Sequence, residues 1–200
     1  MPIAVVANSG AESPAPAPPT RADSQQEITC SYPVQPDDTR ASLVERMGDE
    51  ARVELVGGPE GMDFDALVLW PENPSRRIEV IFLDDAMTER GSVRVVGEAS
   101  EWRAAELGLG SSLADLEARN GGPFKLMGFE WDYGGLVMDW LGGKLEDLGG
   151  GCRIGAHLGY GEAVREVPSA VLGDVELRSD LSDLQGLDLE VAELWVAFED

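Results

Sequence analysis

The chain has 200 residues, 43% of them hydrophobic and 26% charged, which is enough for one ordinary domain with a sizeable core. Fifteen Lys and Arg against 38 Asp and Glu leave a formal net charge of −23, a field that repels phosphate backbones and anionic lipid and steers basic partners inward. The 24 glycines exceed the usual share of about 7%, favouring a turn-rich, sheet-rich fold over a helical bundle.

No segment approaches the run of about 18 apolar residues that a membrane helix needs. Met1–Ala7 carries an apolar patch, Ile3 to Ala7, with no Lys or Arg before it, so it is shorter than a signal peptide and lacks the charged leading region of one. Residues 8–27 (NSGAESPAPAPPTRADSQQE) are rich in Pro, Ala and Ser and have no aromatic residue. The expected organisation is a disordered arm over 1–27 and a single α+β domain over 28–200.

From Ile28 the pattern becomes one of short strands. Ile28, Cys30 and Tyr32 alternate with polar neighbours, which predicts a first strand with one buried face. A short helix is predicted from Ser42 to Met47, with Ser42 and Glu45 as its capping box and Gly48 as its stop. Strands follow at Arg52–Val56, Phe64–Trp70, Arg77–Leu83 and Ser92–Gly97, separated by GGPEG at 57–61 and PENPS at 71–75. The run Ala66 to Trp70 is apolar on both faces and reads as a central strand. A second helix spans Ser112–Arg119, capped by Ser112 and Asp115. Later strands are expected near Ile154–Leu158, Val175–Leu177 and Val191–Phe198, with an acidic loop before the last.

The two helices suggest an internal repeat. Ser112 lies 70 residues beyond Ser42, and the same shift sets Gly58 on Gly128, Leu67 on Val137 and Trp70 on Trp140. After a longer loop a shift of 76 sets Ile78 on Ile154, Val80 on Ala156 and Phe82 on Leu158. Two copies, about 39–83 and 109–160, would each be a helix followed by three antiparallel strands sharing one sheet.

Cys30 and Cys152 lack CxxC spacing, which argues against a zinc site. In a reducing compartment they are small buried hydrophobes. In an exported protein they pair, and the long loop so closed would add about 4–5 kcal/mol by the chain-entropy model.

Residues 108–145 hold the most distinctive motifs: a capped helix run from Gly108 to Phe124 ending in NGGPF, then GFEWDYGG at 128–135, then GGKL at 142–145. In these motifs, and more weakly upstream and in the final strand, the sequence resembles a family of exported bacterial proteins and lipoproteins of unknown function. The resemblance implies an export signal or lipid anchor before the domain, hence a periplasmic, secreted or lipid-anchored location, and brings no activity or catalytic residue. More loosely, two helix-plus-sheet modules in tandem are similar in architecture to β-lactamase inhibitor proteins, an analogy of fold alone.

On a strand, Phe129, Trp131 and Tyr133 would line one face and Glu130 and Asp132 the other. Either the aromatics are core and the acids solvated, or the five residues form a docking strip that stacks on a partner and selects it by positive charge. His157, the only histidine, points away from Ile154, Ala156 and Leu158, with no nucleophile motif beside it. Asp84, Asp85, Asp139, Asp180, Asp183 and Asp188 are candidates for paired carboxylates, and DLSDLQGLDLE at 180–190 lacks the ligand order of a calcium loop. No dinucleotide, phosphate-loop or basic nucleic-acid signature is present. The expected function is a non-enzymatic extracytoplasmic binding domain with no metal or cofactor and a basic or cationic partner. Its rivals are a carboxylate-dependent hydrolase and a structural component of the cell envelope.

Overall fold

The computed structural model describes residues 26–58, 61–161 and 166–199. Most of the expected arm lies outside them, but Glu27 does not. Together with Ile28 it forms β1 (Glu27–Ile28), parallel to β6 (Arg103–Ala104). The alternation through Tyr32 therefore stops early, because Thr29 and Tyr32 bond each other across a tight turn.

The cap of helix α1 (Arg40–Met47) lies three residues before the expected one. Thr39 is its N-cap: the Thr39 hydroxyl accepts from Ser42 N–H, and the Ser42 hydroxyl accepts from Thr39 N–H. Ser42 also donates to Asp38, which Arg46 grips from the next turn, so the serine is fully employed inside the helix start. Helix α2 (Leu113–Asn120) starts as expected, with Ser112 and Asp115 closing the capping box and Gly121 ending it at φ 84°. Each helix turns a small apolar face inward, Leu43 from α1 and Leu113 with Leu116 from α2.

The central element is a six-stranded sheet, antiparallel throughout. Its strands are β2 (Ala51–Gly57), β3 (Asp63–Leu69), β4 (Ile78–Phe82), β5 (Arg90–Val95), β9 (Cys152–Tyr160) and β11 (Leu189–Phe198). They lie in the order β2-β3-β4-β5-β11-β9, so the strand that ends the chain sits between β5 and β9. A smaller antiparallel sheet joins β7 (Lys125–Met127) to β8 (Val137–Asp139) and β10 (Glu176–Arg178). A four-residue helix, α3 (Ser182–Gln185), occupies the stretch expected as acidic loop. The molecule is thus α+β with mostly antiparallel sheet.

Strand alternation sorts the large sheet into two faces. Leu67, Leu69, Ile78, Val80, Val93, Ile154, Ala156, Leu194 and Val196 pack into the main core together with both helices. The opposite, outer face holds a small cluster of Val56, Ala66 and Val68 with Phe64 and Ile81. Beside it runs a lattice of ion pairs in which Arg77 and Arg94 both reach the buried Glu79. Burial of β3 on both faces is what its unbroken apolar run requires.

Two of the motif halves meet at Asn120. Its side-chain amide donates to the carbonyls of Trp140 (3.0 Å) and Gly122 (3.1 Å), and its backbone carbonyl accepts from Lys144. A Cβ at Gly143 would overlap this amide, so NGGPF and GGKL form one structural clamp. Trp140 seals it, donating its indole N–H to Ile154 O (2.8 Å) and packing on Phe124.

Cys30 and Cys152 form a disulfide across 122 residues, tying the turn after β1 to the start of β9. Replacing both cysteines by alanine should lower unfolding stability by about 2–5 kcal/mol. Urea unfolding of the two proteins under non-reducing conditions checks this, and equal midpoints would contradict it.

Candidate functional site

The segment 129–133 is a turn, not a strand. Glu130 adopts φ 60°, which breaks the extended path after Phe129. Gly134 then donates to Trp131 O (2.8 Å) and Leu136 to Tyr133 O (3.0 Å), folding the chain back toward β8. The period-2 pattern therefore does not place the three aromatics on one face. Phe129 is only 3% exposed and stacks on Tyr160 at 4.7 Å, whereas Trp131 and Tyr133 are 55% and 49% exposed. Glu130 and Asp132 are exposed beside them. Beneath the loop, burial and the nearby Glu130 push the Tyr160 hydroxyl up to about 12, and this oxygen has no hydrogen-bond partner among the described residues.

The loop is fastened to the outer side of the large sheet. Leu158 N–H donates to Gly135 O (2.9 Å), and Leu136 bridges to His157. His157 adds the side-chain fastening: Nε2–H donates to Gly134 O, while Nδ1 faces Glu193 Oε1 at 3.8 Å. A bulge between Val191 and Glu193 turns the Glu193 carboxylate to this position, directly opposite His157 across the β9–β11 ladder. As the sequence implies, His157 faces away from the apolar row of its strand and is partly exposed.

Between this loop and the end of the β2–β3 hairpin lies a groove of about 510 Å³. Gly57 and Gly58 form one wall, Asp132 and Tyr133 the other, and Trp195, His157, Glu193 and Arg94 the floor. Trp195 lies flat over Gly155, where a Cβ would overlap the indole. Arg94 is held in place by Glu79 and by Gly57 O (2.8 Å). Trp131, Asp132, Tyr133 and His157 were legible as candidates, while Arg94, Trp195 and Glu193 were not. Their signal is phase: Arg94 alternates with the buried Val93 and Val95, and Trp195 with the buried Leu194 and Val196, which puts an arginine and a tryptophan on the outward positions.

Because Nε2 of His157 is spent on a carbonyl, its neutral form would turn an Nδ1 lone pair toward Glu193. Glu193 accordingly raises the histidine above its usual range, and the partly charged imidazole holds Glu193 below the usual carboxylate range. Nε2 of His157 is committed to Gly134 O while Nδ1 faces Glu193, and a glutamate kept ionised is not a general acid. The groove contains no Ser, Thr or Cys. Three of the candidate aspartates serve local structure. Asp84 caps the β4–β5 turn by accepting from Thr88 and Glu89, Asp139 accepts from Leu141, and Asp180 pairs with Arg178. Among the described residues no group of three or more His, Cys, Asp or Glu is placed to hold a metal, and no helix is long and apolar enough to cross a membrane.

A second hollow, about 490 Å³, lies between Gly121–Pro123 and Gly142–Lys144, where the polar groups are consumed by the Asn120 clamp.

The His157–Glu193 couple sets a pH dependence. A histidine raised on folding stabilises fully below its unfolded value, near 6.5, and that stability is lost as pH rises through the higher folded value. His157→Gln keeps a donor for Gly134 O and removes the titration. Thermal melts from pH 5.5 to 8.5 should show the native chain losing stability relative to this variant as pH rises, and parallel curves would contradict the coupling. The chain matches no protein-family model, no curated protein and no solved structure.

Proposed function

We propose that this chain is a non-enzymatic, extracytoplasmic binding domain that docks a basic protein partner on the outer face of its six-stranded sheet. The observation that carries the proposal is the pair of exposed rings, Trp131 and Tyr133, raised on a fastened loop of which Asp132 and Tyr133 line a groove. Large aromatics held rigidly at a concave rim are the residue type and placement that concentrate binding energy in protein interfaces. The net charge of −23 favours a basic partner and speeds its encounter. The Cys30–Cys152 disulfide and the resemblance to exported proteins support a location outside the cytoplasm. Against the hydrolase reading stand the spent His157 nitrogen and the ionised Glu193.

Two copies of one helix-plus-three-strand unit belong to the same proposal, with α1-β2-β3-β4 as the first and α2-β7-β8-β9 as the second. A shift of 73 carries Thr39 to Ser112, Leu43 to Leu116 and Gly48 to Gly121: cap to cap, buried leucine to buried leucine, stop to stop. That shift for β2, with 70 for β3, carries the pair Val53↔Leu67 onto Leu126↔Val137. Shifts of 70 and 76 carry Leu67↔Val80 onto Val137↔Ala156, one step along the register of the Leu136↔His157 bridge. In this frame the two walls of the groove are equivalent connections, β2–β3 from one copy and β7–β8 from the other.

Peptides selected by display on the immobilised full chain test the docking face. They should be rich in Lys and Arg and should lose about 2 kcal/mol, roughly thirtyfold in Kd, against Trp131→Ala. Leu55→Ala, an exposed change elsewhere, should leave them unaffected. Equal affinity for the native chain and Trp131→Ala would overturn the proposal.

A further inference from the structure

The groove's own charges indicate what part of a partner it takes. Two cations line it, and both are committed. Arg94 is paired with Glu79, which is 5% exposed, and also donates to Gly57 O, while His157 is held between Gly134 O and Glu193. The carboxylates are less satisfied. Asp132 makes no hydrogen bond or ion pair with the described residues, and Glu193, about half exposed, has only the histidine at 3.8 Å. The Trp195 indole, the Tyr133 ring and the apolar Leu136 line the same groove. Ring faces attract a cation, and an alkyl stem lies well along such a surface while its charged end meets carboxylate.

We propose that this groove is a binding site for a single lysine or arginine side chain, its stem on Trp195 and Tyr133 and its charged end between Asp132 and Glu193. The site rests on the docking reading and sharpens it from a basic partner to one inserted cation. A neutral or acidic side chain would leave Asp132 and Glu193 desolvated beside it, which is how a site rejects the wrong ligand.

The incoming cation and the His157 proton compete for Glu193. By linkage, a ligand that lowers the histidine's proton affinity must itself bind more weakly when the histidine is protonated. The charged or titrating groups facing His157 are Glu193 on β11, Arg94 on β5 beyond it, and Asp132 with Tyr133 on the loop. Of these, the histidine is the residue type whose charge changes between pH 5.5 and 8, so it sets the dependence. Cation affinity therefore rises with pH across that range.

The test is a titration of the 15N-labelled full chain with blocked Gly-Lys-Gly, Gly-Arg-Gly, Gly-Gln-Gly and Gly-Glu-Gly, following the Trp195 indole N–H, assigned with Trp195→Phe. The Lys and Arg peptides should shift this signal saturably, bind several times more tightly at pH 8 than at pH 5.5, and lose tenfold or more in Glu193→Gln. Asp132→Asn, on an exposed turn where it cannot unfold the chain, should weaken them several-fold. In His157→Gln the pH difference should vanish. A response to Gly-Gln-Gly equal to that of the cations, or shifts that never saturate and spread over acidic surface generally, overturns the site. So does unchanged affinity in both carboxylate variants. If Trp131→Ala weakens the display-selected peptides while Asp132→Asn and Glu193→Gln do not, the docking face stands and the cation site alone falls. If Trp131→Ala has no effect either, the docking face falls with it.

Discussion

The fold depends on one late arrival: β11, the last strand of the chain, pairs with β5 on one side and with β9 on the other. Until it is in place, the meander β2-β3-β4-β5 has an open edge at β5 and β9 has no partner in the sheet. Val93 faces Val196 across one ladder and Ile154 faces Val196 across the other, so a single valine joins the cores of the two halves. These pairings span up to a hundred residues of sequence and are slow to form, because loop closure comes before the contacts that reward it. The disulfide shortens that search from the other end by placing the start of β9 against the first turn of the domain.

The same strand creates the proposed docking face. Its inward residues Leu194 and Val196 belong to the core, so the alternate positions, Glu193 and Trp195, must emerge on the outer side. Trp195 can lie flat there because Gly155 opposite it has no side chain, and Glu193 meets His157 because the bulge before it resets the register. Strong acidity might be expected to tear such a face apart, yet the arginines are concentrated where carboxylates crowd. Arg52, Arg77 and Arg94 knit Glu54, Glu72 and Glu79 into one network. Asp132 on the groove's wall and Glu193 on its floor stay outside this network, where solvent screens them.

How much of this was legible in the sequence depended on whether a residue's role was local. The paired strands from Ala51 to Val95 announced themselves by β-branched runs and turn residues, and the cap at Ser112 by its acid three residues on. The cap of α1 was misplaced because Ser42 followed by Glu45 fits the capping-box template. The working pair is Thr39 with Ser42, two hydroxyls that exchange hydrogen bonds with each other's backbone. The aromatic alternation at 129–133 misled for a similar reason. Period 2 signals a strand only if each residue stays extended, and Glu130 at φ 60° does not. The groove floor was out of reach, since Arg94, His157 and Trp195 come from three distant strands and share a surface only once β11 has been inserted. Asn120 shows the intermediate case: the motif around it was conspicuous, but its meaning, a clamp on Trp140 and Lys144, needed the chain to return.

The proposed duplication gives this division a physical logic. If both copies began alike, each would carry a β–β connection over the outer face, short in the first at 58–62 and longer in the second at 128–136. In the first copy β2 and β3 stay paired to their ends at Gly57 and Asp63, and Gly57 and Gly58 line the groove. In the second, β8 leaves β9 after one bridge and pairs with β7 instead, which frees the intervening residues to fold into a separate turn. A turn released from the ladder has side chains available for something other than sheet packing. It is that released turn which bears Trp131 and Tyr133 and to which His157 is latched. The extra residues of the second copy thus cost ladder pairing and supply the exposed rings, which is the exchange expected where a stable scaffold carries a recognition loop.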